Sequence, residues 1–267
     1  WPLPSMAPLA HILALLAMTV ATMAIEVVPL DMAQNSFDDQ YRGCGPAMTA
    51  ALPALNRSEF QQNPSLAKGW AKARAEWQAQ GSRVSPLSSP AQAIALMAYT
   101  MDDLYEEFNA AVRKAGSSRQ EYQDRFHFKM LHFLLTDALA TLRGTQGQKC
   151  RCVVRGVDDV RFEARPGDTV WFGQFASSSL CSDAAHAFGT DTVFQVYTCH
   201  GVDIREFSSY FGENEVLIPP FETFKVTDVT QKGDEARIKL HSTGTHSNYN
   251  CEWLRGDVTE GTTWGMG

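Results

Sequence analysis

The chain has 267 residues, of which 44% are hydrophobic, and carries a formal net charge of −7 at pH 7. This length and composition suit a globular protein with one large domain or two small ones. The negative charge argues against a nucleic-acid partner, because tracking a phosphate backbone needs runs of lysine or arginine that this sequence does not contain.

The first 24 residues have the pattern of a secretory signal peptide. Residues 7–24 are almost entirely apolar and end in small residues, although no basic segment precedes them. Met6 is a natural start, which leaves open whether residues 1–5 belong to the translated protein. A transmembrane anchor is the alternative, since the run is at the short end of what spans a bilayer. We expect a signal peptide over residues 1–24 and one mature domain over residues 25–267.

The C-terminal residues 259–267 do not form the hydrophobic tail that a GPI attachment signal contains. We therefore expect a short polar tail and a secreted, monomeric product without stable membrane insertion after signal cleavage; storage in secretory granules before release stays open. Six cysteines suit an oxidising compartment, and their spacing fits no zinc template, so disulfides are expected and a metal is not. They are Cys44, Cys150, Cys152, Cys181, Cys199 and Cys251.

Residues 64–143 have helical periodicity, with apolar residues at three- and four-residue steps. The pattern predicts four helices, the last of which runs through residues 122–138. His127 and His132 are five residues apart on different helix faces, so core or surface roles are favoured over metal binding. The start signals are Pro64, Ser89-Pro90, Asp102-Asp103 and Ser117-Ser118.

After Gly144 the pattern changes to strands and turns. Helices followed by strands predict a single α+β domain. The predicted strands cover residues 150–156, 169–173, 193–199 and 216–218, followed by a closing hairpin of residues 222–229 and 235–242.

Two glutamates lie where a loop enters the apolar strand at residues 216–218. In extended chain Glu213 and Glu215 point to the same face, roughly 6.6 Å apart. Two carboxylates at that separation repel by roughly 2.5 kcal/mol at an effective dielectric of 20, so the pair favours a cation between its members. A guanidinium, or the oxocarbenium ion of a sugar losing its leaving group, would supply one. The alternative is a solvated pair that protects a strand edge.

Three segments occur in a fixed order along the strand-rich half: Arg155-Gly156, Ser177-Ser178-Ser179 and Glu213-Asn214-Glu215. Together they resemble the R-S-E signature of the arginine-specific mono-ADP-ribosyltransferases. Residues 31–255 are similar to that vertebrate family, and most of all to its secreted avian members.

The resemblance implies an activity and a fold. The activity is transfer of ADP-ribose from NAD, or NADP, to the guanidinium of arginine in proteins or small guanidines, with NAD as co-substrate. Nicotinamide would leave through an oxocarbenium-like transition state. The fold is a helical half packed on a mixed, β-sandwich-like NAD-binding core, and it is not a Rossmann fold, in agreement with the lack of a Gly-x-Gly-x-x-Gly motif.

The resemblance also assigns roles to residues. Arg155 would hold the nicotinamide-side ribose and phosphate of NAD, and the backbone of Gly156 would approach the nicotinamide amide. Ser177 would hold the ribose and orient Glu215, which would accept the ribose 2′-hydroxyl and stabilise the oxocarbenium ion. Glu213 would bind the acceptor guanidinium and help to deprotonate it. Further residues that resemble NAD contacts are Tyr99, Gln174 and Ser208.

Disulfides Cys44–Cys251 and Cys150–Cys199 are implied by the same resemblance. In the chain-entropy model the first, which closes a long loop, would stabilise the fold by roughly 4 to 5 kcal/mol. Cys152 is additional, and it either pairs with the other additional cysteine, Cys181, or stays free.

Two alternatives to an arginine-directed transferase use the same site. In an NAD glycohydrolase water replaces the acceptor, whereas a secreted binding module would bind NAD without turnover. Glu213 favours transfer, because hydrolysis needs no guanidinium partner. Intact Arg155, Ser177 and Glu215 argue against an inactive module. A glycoside hydrolase is a weaker alternative, because both acids project from one strand instead of flanking a bond.

Overall fold

The protein is described by a computed structural model that covers residues 25–180, 191–210, 214–233 and 235–256. The predicted signal peptide, the tail from residue 257, Cys181 and Glu213 lie outside these described residues.

Helices fill the N-terminal half of the described chain. Pro64 and Pro90 open two of them, and the side chains of Asn63 and Ser89 cap these two helices by accepting backbone N–H groups. The bounds are β1 Glu26–Pro29, α1 Gly45–Gln62, α2 Pro64–Ala79, α3 Pro90–Thr100, α4 Asp102–Ala115, α5 Arg119–Arg125 and α6 Lys129–Gln146.

Strands fill the C-terminal half. Among the described residues, eight strands form one mixed sheet in the order β4-β9-β10-β6-β2-β5-β8-β7, in which β6 and β10 are parallel neighbours, while β3 pairs in parallel with β1. The bounds are β2 Arg151–Val157, β3 Val160–Glu163, β4 Thr169–Val170, β5 Ala176–Leu180, β6 Thr192–Thr198, β7 Val202–Asp203, β8 Glu215–Ile218, β9 Glu222–Lys232, β10 Glu235–Thr245 and a final helix α7 Glu252–Gly256.

The sheet has a hydrophobic core on each face. Val216 and Ile218 of β8 join a core with residues of β9 and β10, whereas Leu217 between them joins the core of the helical half. Side chains of a strand alternate between faces, so a strand buried on both sides is an unbroken apolar run in the sequence. In the sheet order β8 is far from β9 and β10, yet residues of all three strands share the core that contains Val216 and Ile218. The sheet therefore curls over that core. The predicted α+β class, with a helical half packed on a sandwich-like sheet, is confirmed.

Two features of the helical half differ from the prediction. Helix α1 was not predicted; it contains Pro53 and buries few side chains, so its periodicity in the sequence is weak. The predicted fourth helix is wrong as a single helix, because α5 and α6 separate at residues 126–128.

A buried carboxylate from α1 explains that separation. The two oxygens of Glu59 accept hydrogen bonds from the backbone N–H groups of Lys129, at 2.7 Å, and Met130, at 2.9 Å. Negative charge at the first N–H groups of a helix is favourable, so Glu59 fixes the start of α6. Burial raises the pKa of Glu59 to about 7, although these bonds oppose the shift.

Two adjacent aspartates hold the end of the described chain against its beginning. Asp38 and Asp39 accept hydrogen bonds from backbone N–H groups within residues 248–252. The Cys44–Cys251 disulfide closes the same contact, with a Cα–Cα distance of 6.1 Å. The two ends are therefore tied by charge-assisted bonds as well as by a covalent link.

A second disulfide, Cys150–Cys199, joins the residues beside the start of β2 and the end of β6. Cys152 is disulfide-bonded as well. The free thiol, one of the two states left open for Cys152, is therefore wrong.

Within the described ranges, no helix combines the length and the apolar character that crossing a bilayer requires.

We expect Glu59→Gln to remove part of the pH dependence of stability. The raised pKa means that the folded protein keeps a proton that the unfolded chain has released, so stability falls as pH rises from 4.5 to about 7. Through Glu59 the wild type should lose about 2 to 3 kcal/mol over that window, a loss that the Gln variant avoids. Urea unfolding of both proteins at the two ends of the window measures the difference. The other buried acids are common to both proteins, so equal slopes would show that Glu59 is not the titrating group.

Candidate active site

A cleft opens in the sheet where β2 separates from β5. The two strands pair through Val154 and Ser179, beyond which β2 follows β6 and β5 follows β8. The next residues of β2 are Arg155 and Gly156. If the antiparallel pairing continued, they would be opposite Ser178 and Ser177 of β5. The divergence therefore leaves these predicted site residues on the two walls of a gap.

Arg155 spans this gap. Its Nη1 donates to the backbone carbonyl of Ser177 at 2.6 Å, and its Nη2 donates to the hydroxyl of Tyr105, on α4, at 2.9 Å. Holding two acceptors in different directions uses the fork of donors that a guanidinium has and an ammonium lacks. Both acceptors are neutral oxygens, so the hydrogen bonds fix the position of the cation without cancelling its charge.

Glu215, the first residue of β8, is 7% exposed and is held at both carboxylate oxygens. Ser177 Oγ donates to Oε1 and Ser208 Oγ donates to Oε2, each at 2.7 Å. Hydroxyl bonds to a carboxylate are charge-assisted and stronger than neutral ones. The carboxylate is therefore fixed in one orientation at the edge of the cleft.

Strand alternation explains why Ser177 and Glu215 meet. Phe175, just before β5, joins the helical core and Ala176, the first residue of β5, joins the opposite core, so Ser177 faces the helical side with Phe175. On β8, Glu215 shares a face with Leu217, which also joins the helical core. Ser177 and Leu217 are directly opposite in the ladder, so Glu215 lies diagonal to Ser177, within side-chain reach.

A tight turn leads into β5. Gly173 has a φ of +64°, and a Cβ on it would lie 2.4 Å from the Cβ of Ala33, so both the backbone conformation and the space require glycine. The predicted strand over residues 169–173 is therefore shorter, since β4 ends at Val170. The three serines at 177–179, which none of the predicted strands included, lie inside β5.

The cleft has a volume of about 290 Å³ and brings together five of the predicted site residues: Tyr99, Arg155, Gly156, Ser177 and Glu215. The remainder of its lining consists of Thr100, Asp102, Tyr105 and Tyr210. Glu213 lies outside the described residues.

The three further NAD contacts that were predicted all bond to protein groups. Tyr99 is fully buried and donates to the backbone carbonyl of Phe175 at 2.9 Å. Ser208 is buried behind Glu215, and the Gln174 side chain accepts a bond from Arg113. Direct contact of Tyr99, Gln174 and Ser208 with NAD stays a prediction.

Four residues of the cleft were not found as site residues from the sequence: Thr100, Asp102, Tyr105 and Tyr210. Tyr105 binds Arg155, and the Tyr210 hydroxyl donates to the Asp102 carboxylate at 2.9 Å across the mouth of the cleft. Asp102 was interpreted as a helix cap, and it does lie in the first turn of α4. One signal in the sequence could have identified Tyr105 as a cleft residue. It follows Leu104 of the apolar stripe of α4, and a tyrosine beside such a stripe can pack its ring on the core and turn its hydroxyl to a polar partner.

The sequence matches the family described as NAD:arginine ADP-ribosyltransferase over residues 30–248. The chain belongs to this family. Its relatives include the chicken (Gallus gallus) erythroblast NAD(P)(+)--arginine ADP-ribosyltransferase, 50% identical over 86% of this chain and 78% of that protein. They also include the GPI-linked NAD(P)(+)--arginine ADP-ribosyltransferase 1 of mouse (Mus musculus), 51% identical over 85% of this chain and 74% of that protein.

The fold is shared with a solved member of the group, the eukaryotic mono-ADP-ribosyltransferase ART2.2. The TM-score is 0.73 at 36% sequence identity, covering 85% of this chain and 98% of that chain. One structure of a point mutant of ART2.2 is a complex with NAD.

Membership of the arginine ADP-ribosyltransferase family confirms the predicted family, fold and enzyme class. The co-substrate is NAD, and the reaction is transfer of ADP-ribose to arginine, so the glycoside hydrolase alternative is wrong. In the part of the chain that the structure describes, no cluster of three or more His, Cys, Asp or Glu side chains could hold a metal ion.

We expect Ser208→Ala to lower kcat for NAD consumption by about tenfold or more, because a hydrogen bond to a charged group is worth about 1.5 to 3 kcal/mol. Ser178→Ala is the matched control. The Ser178 hydroxyl lies on the other face of β5, buried and without a hydrogen-bond partner among the described residues. Its loss should change kcat by less than about twofold. Equal losses in the two variants would show that Ser208 does not act by holding Glu215.

Proposed function

We propose that ADP-ribose is transferred from NAD to the guanidinium of arginine at the Glu215 end of the cleft. The observation that carries this proposal is the buried Glu215 carboxylate, fixed by Ser177 and Ser208 close to the cationic Arg155. A fixed anion and a fixed cation match a donor whose ribose becomes positive in the transition state while its phosphates stay negative.

The donor binds with its reacting end in the cleft. Arg155 binds the ribose and the phosphate on the nicotinamide side, and Gly156, which has no side chain, lets the backbone approach the nicotinamide amide. A volume of about 290 Å³ is at the lower end of the range for ligand pockets. It suits the nicotinamide and its ribose, with the rest of the dinucleotide lying outside the cleft along its wall.

Glu215 acts while the bond between C1′ of the ribose and nicotinamide breaks. The electron pair of that bond leaves with nicotinamide, which becomes neutral, and the positive charge moves to the ribose ring. Glu215 accepts a hydrogen bond from the ribose 2′-hydroxyl and stabilises the oxocarbenium ion electrostatically. The two serine hydroxyls keep the carboxylate from reorganising during the reaction.

Glu213 directs the second half of the reaction to arginine. A guanidinium does not lose its proton near neutral pH, so a nitrogen that attacks C1′ needs a carboxylate to take up the proton. Glu213 precedes Glu215 by two residues and would bind the incoming guanidinium. Without Glu213, water still reaches C1′, and the product is free ADP-ribose.

We therefore expect substitutions of the two glutamates to have different effects in an assay with labelled NAD and agmatine, a small guanidine. Glu215→Gln should abolish both ADP-ribosylagmatine and free ADP-ribose, because both products require the oxocarbenium ion. Glu213→Gln should keep NAD hydrolysis and lose transfer to agmatine. Chromatography of the labelled products measures both activities in one reaction.

The same assay distinguishes the alternatives. A wild-type protein that releases only free ADP-ribose is a glycohydrolase, and one that binds NAD without turnover is a binding module. Loss of both activities to the same extent in both variants would contradict the division of labour between Glu213 and Glu215.

We further propose that the protein is secreted as a monomer after cleavage behind Ala24. The apolar residues 7–24 and the disulfides Cys44–Cys251 and Cys150–Cys199, which persist in oxidising compartments, support this. Protein recovered from the medium of secretory cells should start at Ile25 by N-terminal sequencing and should elute as a monomer. Uncleaved protein in the membrane fraction would favour the transmembrane anchor instead.

A further inference from the structure

One face of α4 runs along the wall of the cleft. Tyr105 accepts a hydrogen bond from Arg155, Asn109 donates to a tyrosine hydroxyl behind the cleft, and Arg113 donates to the Gln174 side chain. Residues four apart share one face of a helix and are about 6 Å apart along its axis. The contact at Arg113 is therefore about 12 Å along α4 from the contact at Arg155.

The chain that enters β5 brings Gln174 beside α4, where its side chain accepts the bond from Arg113. Gln174 precedes Ser177 by three residues and lies in the turn that leads into β5. Arg113, held by Gln174, is therefore placed near the start of β5, on the same face of α4 as Tyr105, which binds Arg155. Tyr105 lines the cleft, so this face of α4 leads from the cleft to Arg113.

Arg113 and Arg155 create a shared positive field at this wall. Partial desolvation lowers the pKa of Arg113, Tyr105 opposes the shift, and the neighbouring charge of Arg155 lowers it further. Neither guanidinium takes part in an ion pair among the described residues. Their hydrogen-bond acceptors are a carbonyl, a hydroxyl and an amide oxygen. Two like charges held near one another by neutral acceptors repel unless an anion binds between them.

We propose that Arg113 binds the adenosine-side phosphate of the NAD pyrophosphate, next to the nicotinamide-side phosphate on Arg155. A pyrophosphate carries two adjacent negative charges, which match two neighbouring guanidiniums, and the planar fork of arginine binds phosphate oxygens in pairs. Gln174 then acts as a positioning residue that aims Arg113. This proposal rests on the function proposed above, because it assumes that NAD occupies the cleft with its nicotinamide at Glu215.

The test compares three variants in the agmatine assay. In Arg113→Gln the KM for NAD should rise about tenfold while kcat changes less than about twofold, since the lost contact binds donor and transition state alike. Arg113→Lys should give an intermediate KM, because it keeps the charge and loses the fork. Lys114→Gln removes an exposed charge from the next residue, about 100° around the helix, and should leave KM unchanged.

Product inhibition gives a second readout. The Ki of ADP-ribose, which contains the pyrophosphate, should rise in Arg113→Gln by the same factor as the KM for NAD. The Ki of nicotinamide, which contains no phosphate, should stay unchanged and would show that the cleft is still folded. NADP should lose as much as NAD, because both share the pyrophosphate.

Three results would overturn the assignment: a wild-type KM in Arg113→Gln, an equal rise in Lys114→Gln, or a loss confined to NADP, which would place Arg113 at the adenosine 2′-phosphate. Absence of transfer and hydrolysis by the wild type would overturn the proposed function instead. In that case calorimetric affinities of ADP-ribose for wild type and Arg113→Gln decide the role of Arg113.

Discussion

The separation of β2 from β5 beyond Val154 is the constraint on which the whole site depends. Two strands that stop pairing leave backbone groups without ladder partners, and buried groups of that kind are costly. Here the carbonyl of Ser177 is satisfied by the guanidinium of Arg155. The Arg155 side chain that bonds to this carbonyl also places a positive charge in the gap. The opening in the sheet and its suitability for an anionic donor therefore have one cause.

Two buried glutamates bracket β8, and their surroundings give them different roles. Glu222 accepts hydrogen bonds from the hydroxyls of Thr198 and Ser242 and from the backbone at residues 199–200, and burial raises its pKa. It is enclosed by protein and anchors the end of β6 beside a disulfide. Glu215 has two hydroxyl donors as well, but it borders an open cleft. A fixed carboxylate serves a reaction only where a substrate can reach it, so access distinguishes the two acids.

The sequence could predict the parts of the site that depend on local order. The Glu215 segment was found because its acids precede an apolar run, and that run lies in a strand buried on both faces. Contacts between distant segments could not be predicted. The apolar stripe continues through residues 126–128, and the break there depends on Glu59 of another helix. Likewise the partner of Arg155 on α4, Tyr105, lies 50 residues away in sequence, and no periodic pattern links the two.

Ser177 is the point at which the two charges of the cleft are joined. Its hydroxyl donates to Glu215, and its carbonyl accepts from Arg155, so one neutral residue bonds to the anion with a donor and to the cation with an acceptor. In a direct ion pair, the acid and the base each cancel much of the electrostatic potential that the other would exert on a substrate. Bridging them through a neutral serine fixes both side chains without pairing the two charges directly with each other. The donor needs the cation and the anion together. Its phosphates are attracted to the cation, and its ribose is stabilised by the anion when nicotinamide leaves.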